Sequence, residues 1–119
     1  MKVEEKRMWT ITFTTDEVQE VINLLSEEGL LRGVDLSGAN LFEANLERAN
    51  LHDANLSCAI LSCANLTGAG LSAADLSGAD LREANLRRAN LEGADLTEAD
   101  IEEASVRQAN IYELPRRDV

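Results

Sequence analysis

Residues 37–61 read SGANLFEANLERANLHDANLSCAIL, which is five consecutive pentapeptides of one layout. Each ends on leucine, carries alanine two residues before that leucine, and in four of the five cases has asparagine between the two. The layout continues in both directions: 14 leucines stand five residues apart from Leu31 to Leu96, and Ile101, Val106 and Ile111 continue the phase. Of these 17 units, 13 carry Asn or Asp just before the central residue. Residues 29–113 therefore form one uninterrupted repeat.

A period of five fits no regular secondary structure. On an α-helix each step of five rotates the leucine by about 140°, which scatters the apolar residues around the cylinder. In a β-strand an odd period places successive leucines on opposite faces. Each pentapeptide must therefore contain its own bend, and because one unit cannot bury its leucine alone, the units are expected to stack as a solenoid.

The units from SGANL (37–41) to TEADI (97–101) resemble the pentapeptide-repeat family, and the likeness covers about 85 of the 119 residues. The resemblance implies an all-β solenoid, a right-handed quadrilateral β-helix with four pentapeptides per coil. It also implies that the central leucine and the alanine two residues before it point inward, while the other three positions point outward. Seventeen units would make about four coils, a tower about 20 Å tall at ~4.8 Å per coil.

The N-terminal segment predicts a cover for the first coil. Residues 9–14 alternate apolar and polar, which favours a strand over about 8–14. Thr14 and Glu17 have the spacing of a capping box, and Gly29 stands where a glycine would end a helix over about 15–28, whose apolar positions are Val18, Val21, Ile22 and Leu25. We therefore expect a strand and a capping helix in 1–28, the β-helix in 29–113 and a tail in 114–119.

The tail is too short for a full cap of the last coil. Tyr112 and Leu114 could partly close this end, or the end could bury itself against a second copy of the chain. We therefore take Ile111, Tyr112 and Leu114 as the candidate surface for a homodimer through the C-terminal coil.

Composition narrows the class of partner. The formal net charge is −11, and the chain holds 22 acidic but only 11 basic side chains. Direct binding to nucleic acid or to an anionic membrane is therefore not expected. No apolar run approaches the ~20 residues of a membrane span, and no secretion signal is expected. With two cysteines the chain has no disulfide framework, so we expect a cytoplasmic protein.

Stacking with a period of 20 would sort the outward residues onto four faces. We call them the serine face (Ser37, Ser57, Ser77, Thr97, with Asp35, Asn55, Asp75 and Asp95), the acidic face (Glu43, Asp80, Glu83, Asp100, Glu102, Glu103), the arginine face (Arg48, Arg87, Arg88, Arg107, with Glu47) and the histidine face (His52, Asp53, Glu92, Glu113). The acidic face is the candidate interaction surface. The alternative is that its carboxylates are ordinary solvated positions, since outward residues of a solenoid must be polar.

No residue pattern indicates catalysis, a metal or a cofactor. His52 is the only histidine, and no Ser or Cys occurs in its own pentapeptide. Cys58 and Cys63 occupy the same slot of consecutive units, so they are expected on adjacent faces as free, partly buried thiols. A leucine-filled interior is expected to leave no pocket. Ile60 replaces the usual Asn or Asp and could centre a small apolar contact patch.

Two functions follow from these expectations. The first is a non-enzymatic structural or protein-interaction module whose partner is another protein. The second is an acidic DNA mimic, because the resemblance includes quinolone-resistance proteins that bind the topoisomerase gyrase in this way. Residues 29–113 hold 14 acidic and 6 basic side chains, which favours the mimic. The expected height of about 20 Å matches only about 6 base pairs, which argues against it unless the chain dimerises.

Overall fold

The computed structural model describes residues 15–110. The first element is helix α1, Thr15–Glu27, with Asp16 and Glu17 in its first turn, where carboxylates complement the helix dipole. Ile22 is buried in the core, and Val18 and Leu25 pack against that core. The helix expected over about 15–28 is confirmed. The strand expected over about 8–14 lies outside the described residues.

Helix α1 ends in a Schellman motif, as the position of Gly29 predicted. Gly29 has φ 72° and donates its N–H to the Ser26 carbonyl at 3.1 Å, while Leu30 donates to the Leu25 carbonyl at 2.7 Å. Glycine adopts this left-handed conformation without steric cost, so the chain turns sharply into the first repeat unit.

Every repeat unit between residues 31 and 110 contains one tight turn. In the unit around Leu36, the Ala39 N–H donates to the Leu36 carbonyl at 3.0 Å, and Gly38 has φ 69°. A positive φ at the third residue alone defines a type II turn. The same slot has positive φ in the later units, even where the residue is Glu43, Arg48 or Ala73. The bend demanded by the five-residue period is thus a backbone turn repeated in each unit.

Successive coils join through parallel bridges between residues 20 apart. Asp35 pairs with Asn55, Asn40 with Ile60, and the register continues unbroken to Asn90 and Asn110. The Leu36 N–H donates to the Asn55 carbonyl at 2.7 Å, and the Asn55 N–H to the Val34 carbonyl at 2.8 Å. Within residues 15–110 each wall contributes isolated bridges and no longer strand, because the next turn follows at once.

The interior is made of leucine and alanine alone over most of the tower. From Leu51 to Leu86 every central leucine is at most 1% exposed, and the intervening alanines are equally buried. The inward positions implied by the family resemblance are therefore confirmed. Ile101 and Val106, in the last described coil, are only partly buried.

Candidate functional site

The 20-residue register assembles the six predicted carboxylates on one wall, made of residues 39–43, 59–63, 79–83 and 99–103. Its residues stand in three outward columns, one for each outward slot of the repeat. These columns are Asn40, Ile60, Asp80 and Asp100; Phe42, Ser62, Arg82 and Glu102; and Glu43, Cys63, Glu83 and Glu103. The acidic face is therefore a continuous surface, and it also contains Phe42, Ile60, Cys63 and Arg82.

The Asn or Asp before each central residue stabilises the turn that follows. The Asp75 Oδ1 atom accepts hydrogen bonds from the Ser77 N–H at 3.0 Å and the Ser77 hydroxyl at 2.6 Å. Asp80 and Asp100 accept the corresponding N–H of Arg82 and Glu102, each at 3.1 Å. These Asx turns explain the Asn/Asp preference of the repeat, which the sequence analysis had assigned only to an outward position.

Arg82, which was not predicted from the sequence to lie here, neutralises part of the acidic face. Its Nε and Nη2 atoms each lie 2.8 Å from an Asp80 carboxylate oxygen, a bidentate pair. The guanidinium thereby holds the pKa of Asp80 below its usual range. It also reaches Asp100, with Nε 4.0 Å from Oδ2. Asp80 and Asp100 are thus engaged with Arg82, which leaves Glu43, Glu83, Glu102 and Glu103 as the other carboxylates of this face.

Ile60 removes the Asx acceptor from one turn of the acidic face. An isoleucine cannot accept a hydrogen bond, so the N–H and the hydroxyl of Ser62 have no acceptor among residues 15–110. The equivalent Ser57 donates both groups to Asn55, at 3.0 and 2.8 Å. The Ser62 hydroxyl is not buried, because that part of the chain has no buried side-chain polar atom without a partner.

A shallow concavity of about 450 Å³ opens on this same wall. Its lining consists of Phe42, Ser62, Cys63, Arg82, Glu83, Glu102 and Glu103. The expectation of no pocket was therefore wrong. The interior is filled as expected, but the small side chains of Ser62 and Cys63 between larger neighbours leave a hollow on the outer surface.

Both cysteines are free thiols, and their environments differ. Cys58 is exposed, so the expectation that it is partly buried was wrong. Cys63 is partly buried and donates to Glu83 Oε1 at 3.4 Å. Burial, together with this hydrogen bond and the charges of Glu83, Glu43 and Asp80, raises the pKa of the Cys63 thiol. The thiol therefore stays protonated and acts as a donor, unlike the activated thiolates of cysteine enzymes.

His52 has a serine neighbour that its own pentapeptide did not reveal. Its Nδ1 atom lies 2.7 Å from the Ser72 hydroxyl on the next coil, and its Nε2 atom lies 3.2 Å from Asp53 Oδ2. Because His52 and Ser72 are 20 residues apart, which is the register between coils, the sequence alone could have indicated this contact. The group links two coils on the histidine face, away from the concavity of the acidic face.

Residues 15–110 contain neither a candidate metal cluster nor a membrane-spanning helix. No group of three or more His, Cys, Asp or Glu side chains there could hold a metal ion. Over the same residues, the structure has no helix with the length and apolar character needed to cross a bilayer.

Charge is distributed unequally over the walls of the tower. The wall of the serine face carries four carboxylates and no basic side chain: Asp35, Asp75, Asp95 and Glu98. The neighbouring acidic face carries six carboxylates and Arg82, a net charge of −5. The arginine face carries four arginines and Glu47, a net charge of +3. Two adjacent walls are therefore strongly negative, and a third is positive.

The stacked turns, the register of 20 residues and the leucine interior define a quadrilateral β-solenoid with four pentapeptides per coil. The family described as Pentapeptide repeats (8 copies) matches residues 35–72 and 74–111. This chain belongs to the pentapeptide-repeat family. Proteins of this family are generally non-enzymatic structural modules, and no catalytic family is indicated.

Three solved structures of cyanobacterial pentapeptide-repeat proteins illustrate the similarity. Rfr23 of Cyanothece 51142 is 32% identical with a TM-score of 0.51, over 66% of this chain and 60% of that one. HetL of Nostoc sp. strain PCC 7120, involved in heterocyst differentiation regulation, is 46% identical with a TM-score of 0.38, over 66% and 39%. The protein alr5209 of Nostoc PCC 7120 is 34% identical with a TM-score of 0.44, over 84% and 87%.

The region matched by this chain spans less than two thirds of the length of two of these proteins. The chain matches 60% of the length of Rfr23 and 39% of the length of HetL. Among curated proteins, none matches the chain.

Proposed function

We propose that the chain is a non-enzymatic interaction module that binds a basic surface of another protein through its acidic face. Between residues 31 and 89 the interior of the tower is filled by buried leucine and alanine side chains. Binding therefore uses the outer walls.

The observation that carries this proposal is the separation of charge between walls. The acidic face has a net charge of −5 beside a wall with four carboxylates, whereas the arginine face has a net charge of +3. Solvated polar walls need no such segregation, because mixed charges keep a surface soluble equally well. Complementary charge accelerates association with a basic partner and orients it.

The test compares two sets of variants in capture from a lysate of the source cells. Neutralising Glu83, Glu102 and Glu103 to Gln is expected to abolish the capture of a partner seen with the wild type. Neutralising Arg87 and Arg107 to Gln on the arginine face is the matched control and is expected to leave capture intact. Capture should also weaken at high salt. A partner retained equally by both variants would contradict the assignment of the surface.

The DNA mimic remains the second candidate, favoured by the two adjacent negative walls. The arginine face weighs against it, because duplex DNA is negative on all sides. A gyrase supercoiling assay separates the two candidates. Inhibition by the wild type that is lost in the Leu114→Glu variant would support a dimeric mimic, whereas no inhibition at high micromolar protein would exclude it.

We further propose that the module has about four coils and that α1 covers the first of them, since Ile22 enters the core. The dimer surface of Ile111, Tyr112 and Leu114 lies outside the described residues and stays a prediction. A cytoplasmic location is part of the same proposal.

A further inference from the structure

We propose that the concavity around Ser62 is a docking site for an extended, basic segment of a partner protein. The inference rests on the proposed interaction function and narrows it to one part of the acidic face. The segment would present an apolar side chain, a backbone carbonyl and a lysine or arginine to three distinct parts of the site.

The first part is a pair of hydrogen-bond donors. The Ser62 N–H and hydroxyl have no acceptor among the described residues, and the hydroxyl remains accessible. At Ser77 the same two groups donate hydrogen bonds to Asp75 Oδ1. A backbone carbonyl of an extended peptide is an acceptor that fits them, and it would restore the pattern found at Ser57 and Ser77.

The second part is apolar. Phe42 is 38% exposed and Ile60 is 40% exposed, and both lie on the acidic face. The other large exposed apolar side chains described are Leu24 and Leu30, at the end of α1 and just beyond it. Phe42 lines the concavity and Ile60 lies on the same wall, so both offer apolar surface to a leucine-sized side chain beside the carboxylates.

The third part is the charged rim. Glu102 and Glu103 line the concavity, and Glu83 lines it beside the Cys63 thiol. Arg82 also lines the concavity and its charge acts on Glu102, but its bidentate partner is Asp80. Three carboxylates and one guanidinium leave the lining with a net negative charge. A lysine or arginine placed here would meet these carboxylates directly, with its aliphatic stem free to lie across Phe42.

The dimensions fit a short extended segment. Phe42 and Glu102 stand three coils apart in one column, about 14 Å at the ~4.8 Å strand spacing. An extended chain rises about 3.3 Å per residue, so about four or five residues cross the site.

The experiment is a titration of the full chain, followed by amide NMR spectra, with a blocked five-residue peptide that alternates lysine and leucine. The largest shifts are expected at Ser62 and Cys63. The Ile60→Asn variant restores the repeat consensus and supplies the missing acceptor, so it is expected to remain folded and to bind the peptide at least tenfold more weakly. Unchanged affinity in this variant would overturn the proposal, as would shifts confined to another wall or no binding.

The matched control is Gly70→Asn, the same restoration of consensus on the histidine face. A Cβ atom at Gly70 would meet only ordinary contacts, 3.8 Å from the Ala49 carbonyl oxygen and 3.9 Å from Asn50 Oδ1. Peptide affinity is expected to equal that of the wild type. Equally tight binding of a lysine–serine peptide would overturn the apolar part of the site. Failure of all peptides, with capture still dependent on Glu83, Glu102 and Glu103, would reject this site and leave the proposed function standing.

Discussion

The side-chain amide of Gln19 forms a two-way hydrogen bond with the backbone of Asn45. Its Nε2 atom donates to the Asn45 carbonyl at 3.1 Å, and its Oε1 atom accepts the Asn45 N–H at 2.7 Å. One coil further on, the N–H of Asn65 donates to the Ala44 carbonyl and the Asn65 carbonyl accepts from Leu46. The Gln19 amide thus takes the place of peptide groups from a preceding coil and covers part of a sheet edge that would otherwise be open to pairing.

Replacing Gln19 by alanine should therefore loosen the first coil. Three exposed hydrogen bonds are lost, two to Asn45 and one to Asn23, so we expect the free energy of unfolding to fall by about 1–2 kcal/mol. Amide hydrogen exchange locates the effect: protection of the Asn45 N–H should drop, while that of Asn65 should hold. Equal protection of Asn45 in both proteins would contradict the role given to Gln19.

Two substitutions at Asp75 test whether its Asx turn is stabilised by the hydrogen-bond acceptor or by the negative charge. Asp75→Ala removes the acceptor for both Ser77 donors and is expected to lower stability by about 1 kcal/mol. Asp75→Asn keeps a carbonyl oxygen at the same place and should retain most of that stability. Urea unfolding of both variants measures the difference. A loss as large in the asparagine variant would show that the negative charge matters more than the turn.

The third residue of each turn has a positive φ, so replacing a non-glycine residue there by glycine is expected to stabilise the fold. Ala73 has φ 61° and is exposed. Ala73→Gly relieves a steric cost of ~1–2 kcal/mol, offset by ~0.5–1 kcal/mol of chain entropy, so thermal unfolding should move up by a few degrees. The neighbouring Ala74 is 1% exposed, and Ala74→Gly should lower the temperature of thermal unfolding because buried packing is lost. Destabilisation by both changes would argue against a strained turn at Ala73.

Acidic pH should weaken the turn at Asp95. The Thr97 hydroxyl and N–H donate to Asp95 Oδ1 at 2.6 and 3.0 Å, and these bonds lower the pKa of the Asp95 carboxyl. Because the pKa is lower in the folded state than in the unfolded chain, the stabilisation is present above about pH 4 and is lost as the pH falls through the folded-state value. In Thr97→Val, NMR titration should show a higher Asp95 pKa. An unchanged pKa would assign the shift to another cause.

The regular parts of this structure were predictable from sequence, and the site was predictable only in outline. The spacing of Leu51 and Leu56, with Ala54 between them, determines burial because each unit repeats one backbone turn. The register of 20 residues brought Glu83 and Glu103 into one column, as expected. The pairing of Arg82 with Asp80 and the hollow above Ser62 depend on side-chain conformations and on a break in the repeat, which periodicity does not describe.

The most direct test of the interaction surface is zero-length carbodiimide cross-linking of the wild-type chain to a captured partner, followed by mapping of the linked carboxylates. This chemistry joins a carboxylate only to an amine in contact with it. We expect the links at Glu83, Glu102 and Glu103, to lysines of the partner. Links concentrated at Glu47 or Glu92, or spread evenly over all four walls, would contradict the account.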